Sequence, residues 1–104
     1  MEKIKIVIVE PNKPAYIKDV EDSLKAFQEL VGGYIEAVTL NSESVLICNE
    51  EGKLRGLEPN RRVGIDMICG TFFICGTDGE EFEGLTDEQL KYWTWAFRQP
   101  KGGL

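Results

Sequence analysis

Ile4, Ile6 and Ile8 alternate with Lys3, Lys5 and Val7, the two-residue period of a strand with one strongly apolar face. Glu10-Pro11-Asn12-Lys13-Pro14 breaks that pattern. Two prolines so close together cannot continue a central strand, because each lacks a backbone donor. A short second strand is expected at 15–18. The period then changes: Val20, Leu24, Phe27, Leu30 and Val31 recur at helical spacing. Asp19 or Asp22 is placed to cap this helix, and Gly32-Gly33 supplies the left-handed stop that helices favour.

Residues 34–39 are rich in strand formers, and 41–44 read as a loop. Val45-Leu46-Ile47-Cys48 is a short apolar strand. Asn49-Glu50-Glu51-Gly52-Lys53 matches a hairpin with a left-handed glycine, which predicts that Lys53-Leu54-Arg55 returns as the paired strand. Residues 56–62 read as irregular, since Pro59 disfavours helix at Glu58. Residues 67–75 are the most hydrophobic run and are expected to form a central strand punctuated by Gly70 and Gly76. After a turn at 77–80, Thr86-Asp87-Glu88-Gln89 forms a capping box, with Leu85 and Leu90 as its hydrophobic staple. The helix it opens runs to about Phe97. Leu90, Trp93 and Phe97 form its core stripe, and Tyr92 and Trp95 lie on another face.

The order ββα, then ββ and further strands, then α predicts an α+β fold. Two helices pack on a mostly antiparallel sheet of about five to six strands, with a β-grasp-like start. One domain spans 1–104, with an ordered core at about 3–98 and a tail at 99–104.

Charge and cysteine usage narrow the chemistry. The net charge of −6 argues against nucleic-acid binding, which runs on phosphate neutralisation by Lys and Arg. The three cysteines are odd in number and sit in apolar runs, as buried free thiols in a reducing compartment do. On one strand Cys69 and Cys75 would lie about 20 Å apart, too far to share a metal, and no zinc spacing occurs. Histidine is absent, which removes the commonest general base and metal ligand. No signal peptide and no apolar run near ~20 residues is found, so a cytoplasmic protein without a membrane partner is expected. With no catalytic motif, cofactor motif or metal motif, an enzyme is not expected.

Three of the four arginines, Arg55, Arg61 and Arg62, fall close together beside Lys53 and Asn60. Their planar forks suit carboxylate or phosphate recognition. Glu50, Glu51, Glu58 and Asp66 balance the same stretch, so a loop tied down by its own ion pairs is the competing reading. The acids Glu80, Glu81, Glu83, Asp87 and Glu88 read as a solvated surface, the last two at a helix start where the macrodipole favours them.

The order VLICNEEGKLRGLEPNRR, DMICGTFFICG and LTDEQLKY resembles the bacterial and phage family named domain of unknown function 3846. VIVEPNKPAYIKDV and LKAFQELVGGYIEAV fit it too, so the resemblance runs from about Ile4 to Phe97. It implies a small mobile-element-associated protein with no established activity, so no catalytic residue is carried over. Asn49, Lys53, Asn60, Arg61 and Asp66 are its motif positions, for a site or for a shared structural loop.

The expected function is that of an accessory, regulatory protein that binds another protein. Its candidate binding residues are Asn49, Lys53, Arg55, Asn60, Arg61, Arg62 and Asp66, and its candidate interface is Tyr92 and Trp95. The alternative is a small-anion or nucleotide binder using the arginine-rich insert.

Overall fold

Residues 16–21, 3–9, 72–77, 44–49 and 35–39, in that spatial order, build a five-stranded main sheet with every pairing antiparallel, and a short strand at 82–83 is added to 72–77. The computed structural model describes residues 2–103. The strands are β1 (Lys3–Val9), β2 (Tyr16–Glu21), β3 (Ile35–Thr39), β4 (Ser44–Asn49), β5 (Pro59–Val63), β6 (Asp66–Cys69), β7 (Phe72–Thr77) and β8 (Phe82–Glu83). The helices are α1 (Leu24–Val31) and α2 (Asp87–Ala96). β5 and β6 form a separate two-stranded sheet. The chain is thus α+β with a hairpin-then-helix opening, as its sequence predicts.

Both faces of the main sheet are covered. Ile6, Ile8, Val45, Ile47, Phe73 and Cys75 meet Phe27 and Val31 of α1 on one side. Val7, Val9, Leu46, Cys48, Phe72 and Ile74 meet Leu90, Trp93 and Phe97 of the α2 segment on the other, together with Ile68 of β6. A strand buried on both faces reads as a continuous apolar run, which is why β4 and β7 show no alternation in sequence. Burying each such side chain contributes about 1.5–3 kcal/mol.

α2 begins with the capping box expected of it. Thr86 Oγ1 accepts from the Gln89 N–H at 3.2 Å, and Gln89 Oε1 accepts from the Thr86 N–H at 2.8 Å. The staple residues Leu85 and Leu90 are both buried in one cluster. Gly32 closes α1 in the left-handed region at φ 78°.

Several local readings are corrected. Val20 belongs to β2, which runs on to Glu21, and α1 starts only at Leu24; Ser23, not Asp19 or Asp22, caps it, its hydroxyl accepting from the Ala26 N–H at 3.1 Å. Ser44 is no loop residue but opens β4, buried, where its Oγ accepts from Trp93 Nε1 at 3.2 Å. Lys53-Leu54-Arg55 is not a strand: the chain winds through successive turns, with Arg55 N–H donating to the Glu51 carbonyl at 2.9 Å. Gly52 is not left-handed either; it is needed because a Cβ there would lie 2.6 Å from the Cys69 carbonyl oxygen. The run at 67–75 is two strands in two sheets, split at Gly70 (φ 86°). The supposedly irregular stretch before it holds β5.

That split also separates Cys69 from Cys75. Burial pushes the Cys48 thiol up to about 11 and the Cys75 thiol up to about 12, so neither is a thiolate near neutrality. Cys69 is only half-buried. Brief alkylation of the native protein at pH 8 is therefore expected to label Cys69 alone, and all three cysteines in denaturant. Peptide mass spectrometry reads this out, and equal native labelling of Cys75 would contradict the burial.

Candidate functional site

The candidate residues gather around the 49–58 turns and the β5–β6 hairpin, but they face different ways. Asn49 is buried and serves the fold. Its Nδ2 donates to the Val31 carbonyl at 3.1 Å, satisfying a helix-end acceptor of α1, and its Oδ1 accepts from the Glu51 N–H at 2.8 Å. Asn60 is also buried. Its Nδ2 donates to the Val9 carbonyl at 2.9 Å and to the Gly70 carbonyl at 2.8 Å, joining the small sheet to the end of β1 and to the β6–β7 link.

Arg61 is turned inward and is 1 % exposed. Its Nη2 donates to the Lys13 carbonyl at 2.6 Å and the Phe97 carbonyl at 3.2 Å. Its Nη1 donates to Asn60 Oδ1 at 2.7 Å and the Glu10 carbonyl at 3.4 Å. Nε is buried without a partner. No carboxylate pairs with this guanidinium among the described residues. Carbonyl dipoles stand in for a counter-ion, one of them at the negative end of α2. Burial pushes the Arg61 pKa down from the ordinary arginine value. Arg61 is thus a fork clamping the β1–β2 loop to the end of α2.

The outer residues are tied pairwise. Lys53 bonds Asp66 across the two loops, which pushes the Lys53 pKa up and the Asp66 pKa down, the shared hydrogen bond being the leading cause in each. Arg55 lies 3.8 Å from Glu51 and donates to the Gly32 carbonyl at 3.4 Å. Arg62, next to Arg61 in an extended strand, points the other way and is exposed. It lines a cleft of about 690 Å³ with Asn12, Glu58, Met67 and the 101–103 segment. The three insert arginines therefore do not converge: one is ion-paired, one is buried, and one faces this cleft.

Tyr92 and Trp95 do come together on the outside of α2. They are 52 % and 58 % exposed, with ring centroids 6.1 Å apart. The Arg98 guanidinium sits 4.6 Å from the Trp95 ring centroid. Three surface features went unread in sequence. Arg98 stacks on Trp95 because it lies three residues on, a spacing that was there to be found. Leu54 and Ile65 stand almost wholly exposed on the two loops that Lys53 and Asp66 tie. Ile65 follows Gly64 (φ 62°) at the two-residue turn between β5 and β6, which only the recognition of β5 could reveal.

Among the described residues no group of three or more His, Cys, Asp or Glu is placed to hold a metal. No described helix is long and apolar enough to cross a membrane. A family model described as "Domain of unknown function (DUF3846)" matches residues 4–98. No curated protein and no solved structure matches the chain.

Proposed function

The chain belongs to that family of unknown function, and on that footing we propose that it is an accessory protein-binding module whose contact surface is the outer face of α2. The observation that supports this reading is the Tyr92–Trp95–Arg98 group, held on a helix that is anchored from behind. Leu90 and Trp93, on the inner face of the same helix, are buried, so the outer rings ride on a fixed support. Tryptophan, tyrosine and arginine are the residue types that dominate interface energetics, because each offers a large contact area together with a polar or charged handle. Lys91 and Arg98, four residues before and three after Trp95, put positive charge beside the indole in an otherwise acidic chain. The partner chemistry that fits is an apolar pocket with an acidic rim. A mobile-element or phage-related setting and a regulatory role belong to the same proposal; they rest on the family resemblance alone.

Trp95→Ala is expected to weaken partner binding by about 2–4 kcal/mol, roughly 30- to 1,000-fold. Its melting temperature should stay within about 4 °C of wild type, because the ring supports no core. Affinity capture with quantitative mass spectrometry, run on wild type and variant side by side, identifies the partner; titration calorimetry then measures the loss. A captured set that does not change between the two would remove the α2 face from consideration.

A further inference from the structure

We propose that the cleft between β5 and the 101–103 segment binds a small phosphomonoester, with Arg62 and Lys101 as its phosphate ligands. The cleft, at about 690 Å³, falls within the size range of small-molecule sites. Its two cations are uncompensated: among the described residues, ion pairs are formed by Lys5, Lys13, Lys53 and Arg55, and neither Arg62 nor Lys101 takes part in one. Other cations among the described residues, Lys91 and Arg98 included, also form no ion pair; what sets Arg62 and Lys101 apart is that both line one cleft, in a chain whose net charge of −6 otherwise repels anions.

The walls divide the ligand chemistry. Arg62 offers a planar fork that engages two phosphate oxygens, and Lys101 adds a point charge. Met67 is the register partner of Arg62, so the two side chains share one face of the β5–β6 hairpin and an apolar floor lies beside the arginine. Glu58 lines the same cleft and is held by the Asn12 amide rather than by either cation. Its carboxylate accepts from ligand hydroxyls, which favours a phosphorylated sugar or nucleoside over a bare anion.

The 101–103 segment is positioned by backbone. The Arg62 N–H donates to the Gly102 carbonyl at 2.8 Å, and Gly103 bridges to Arg62 in parallel orientation. A Cβ at Gly103 has no room against the Arg62 carbonyl. This contact fastens the segment that carries Lys101 to the strand that carries Arg62. Leu104, the last residue of the expected tail, lies outside the described residues.

The test is a thermal-shift and calorimetric titration of the full chain with adenosine monophosphate, ribose 5-phosphate, inorganic phosphate and adenosine at fixed ionic strength. At least one phosphomonoester is expected to raise the melting temperature at about 10 mM, and adenosine is not. Arg62→Gln and Lys101→Gln should each weaken that binding at least about tenfold, the loss of one charge-assisted contact. Lys91→Gln, on the α2 face, should leave it unchanged. The proposal is overturned if no phosphate compound shifts the melt, or if a shift survives both cleft substitutions. The site shares no residue with the α2 face, so either reading can fail without the other.

Discussion

Arg61→Ala is expected to cost about 3–5 kcal/mol of folding stability, a large part of the roughly 5–15 kcal/mol that a domain possesses. Four acceptors lose a donor at once: the Glu10, Lys13 and Phe97 carbonyls and Asn60 Oδ1. The Glu10 and Phe97 carbonyls keep the Lys13 and Ala15 N–H groups, so the Lys13 carbonyl and Asn60 Oδ1 are the two left unpaired. Each buried acceptor left unpaired costs about 1–3 kcal/mol, and the truncation also opens a cavity. The melting temperature should fall by roughly 15–30 °C. A thermal melt followed by circular dichroism measures that shift, and urea unfolding measures the loss of free energy. Arg61→Lys should rescue only in part, because one ammonium cannot reproduce the fork that reaches the Lys13 and Phe97 carbonyls from one side and Asn60 from the other. A variant Arg61→Ala that melts within a few degrees of wild type would show that the clamp contributes little. Removing Arg61 is accordingly a poor probe of binding: its loss would be read through the fold, whereas Arg62→Gln touches only the cleft.

Asn60→Ala should follow at about 2–4 kcal/mol, for a different reason. Its single amide nitrogen bridges the Val9 and Gly70 carbonyls, so it fastens the β5–β6 hairpin to the main sheet. The same side chain orients Arg61 through Oδ1. The double variant is therefore expected to lose less than the sum of the two single losses, with a coupling of about 0.5–3 kcal/mol. Strict additivity would mean that the two side chains act independently, against the 2.7 Å bond between them. Hydrogen exchange provides a second readout: β5 and β6 amides should lose protection in Asn60→Ala before those of β7 do.

Much of the architecture was legible because it is written in local periods. The Ile4–Ile6–Ile8 alternation marks β1, the helical spacing of Leu24, Phe27 and Val31 marks α1, and the Thr86–Gln89 box marks the start of α2. β5 was not legible. Pro-Asn-Arg-Arg-Val carries no apolar alternation, and its strand state depends on a partner strand and on an arginine that bonds to carbonyls far away in sequence. The division of 67–75 was hidden for the opposite reason. Both pieces are apolar, β7 because it is buried almost throughout and β6 because Ile68 enters the core between half-buried Met67 and Cys69, and only the turn at Gly70 separates them.

The candidate site shows the same boundary between local and distant information. Sequence alone determined that arginines cluster in the insert, and that Tyr92 and Trp95 lie off the core stripe of their helix, since both follow from spacing along one chain segment. Only the tertiary structure decided which arginine is a ligand candidate. Arg61 and Arg62 are neighbours of the same type, and an extended backbone sends them to opposite sides. Which side is interior is set by how the β5–β6 hairpin docks on the β1–β2 loop and the end of α2, a choice that no property of the two residues themselves contains.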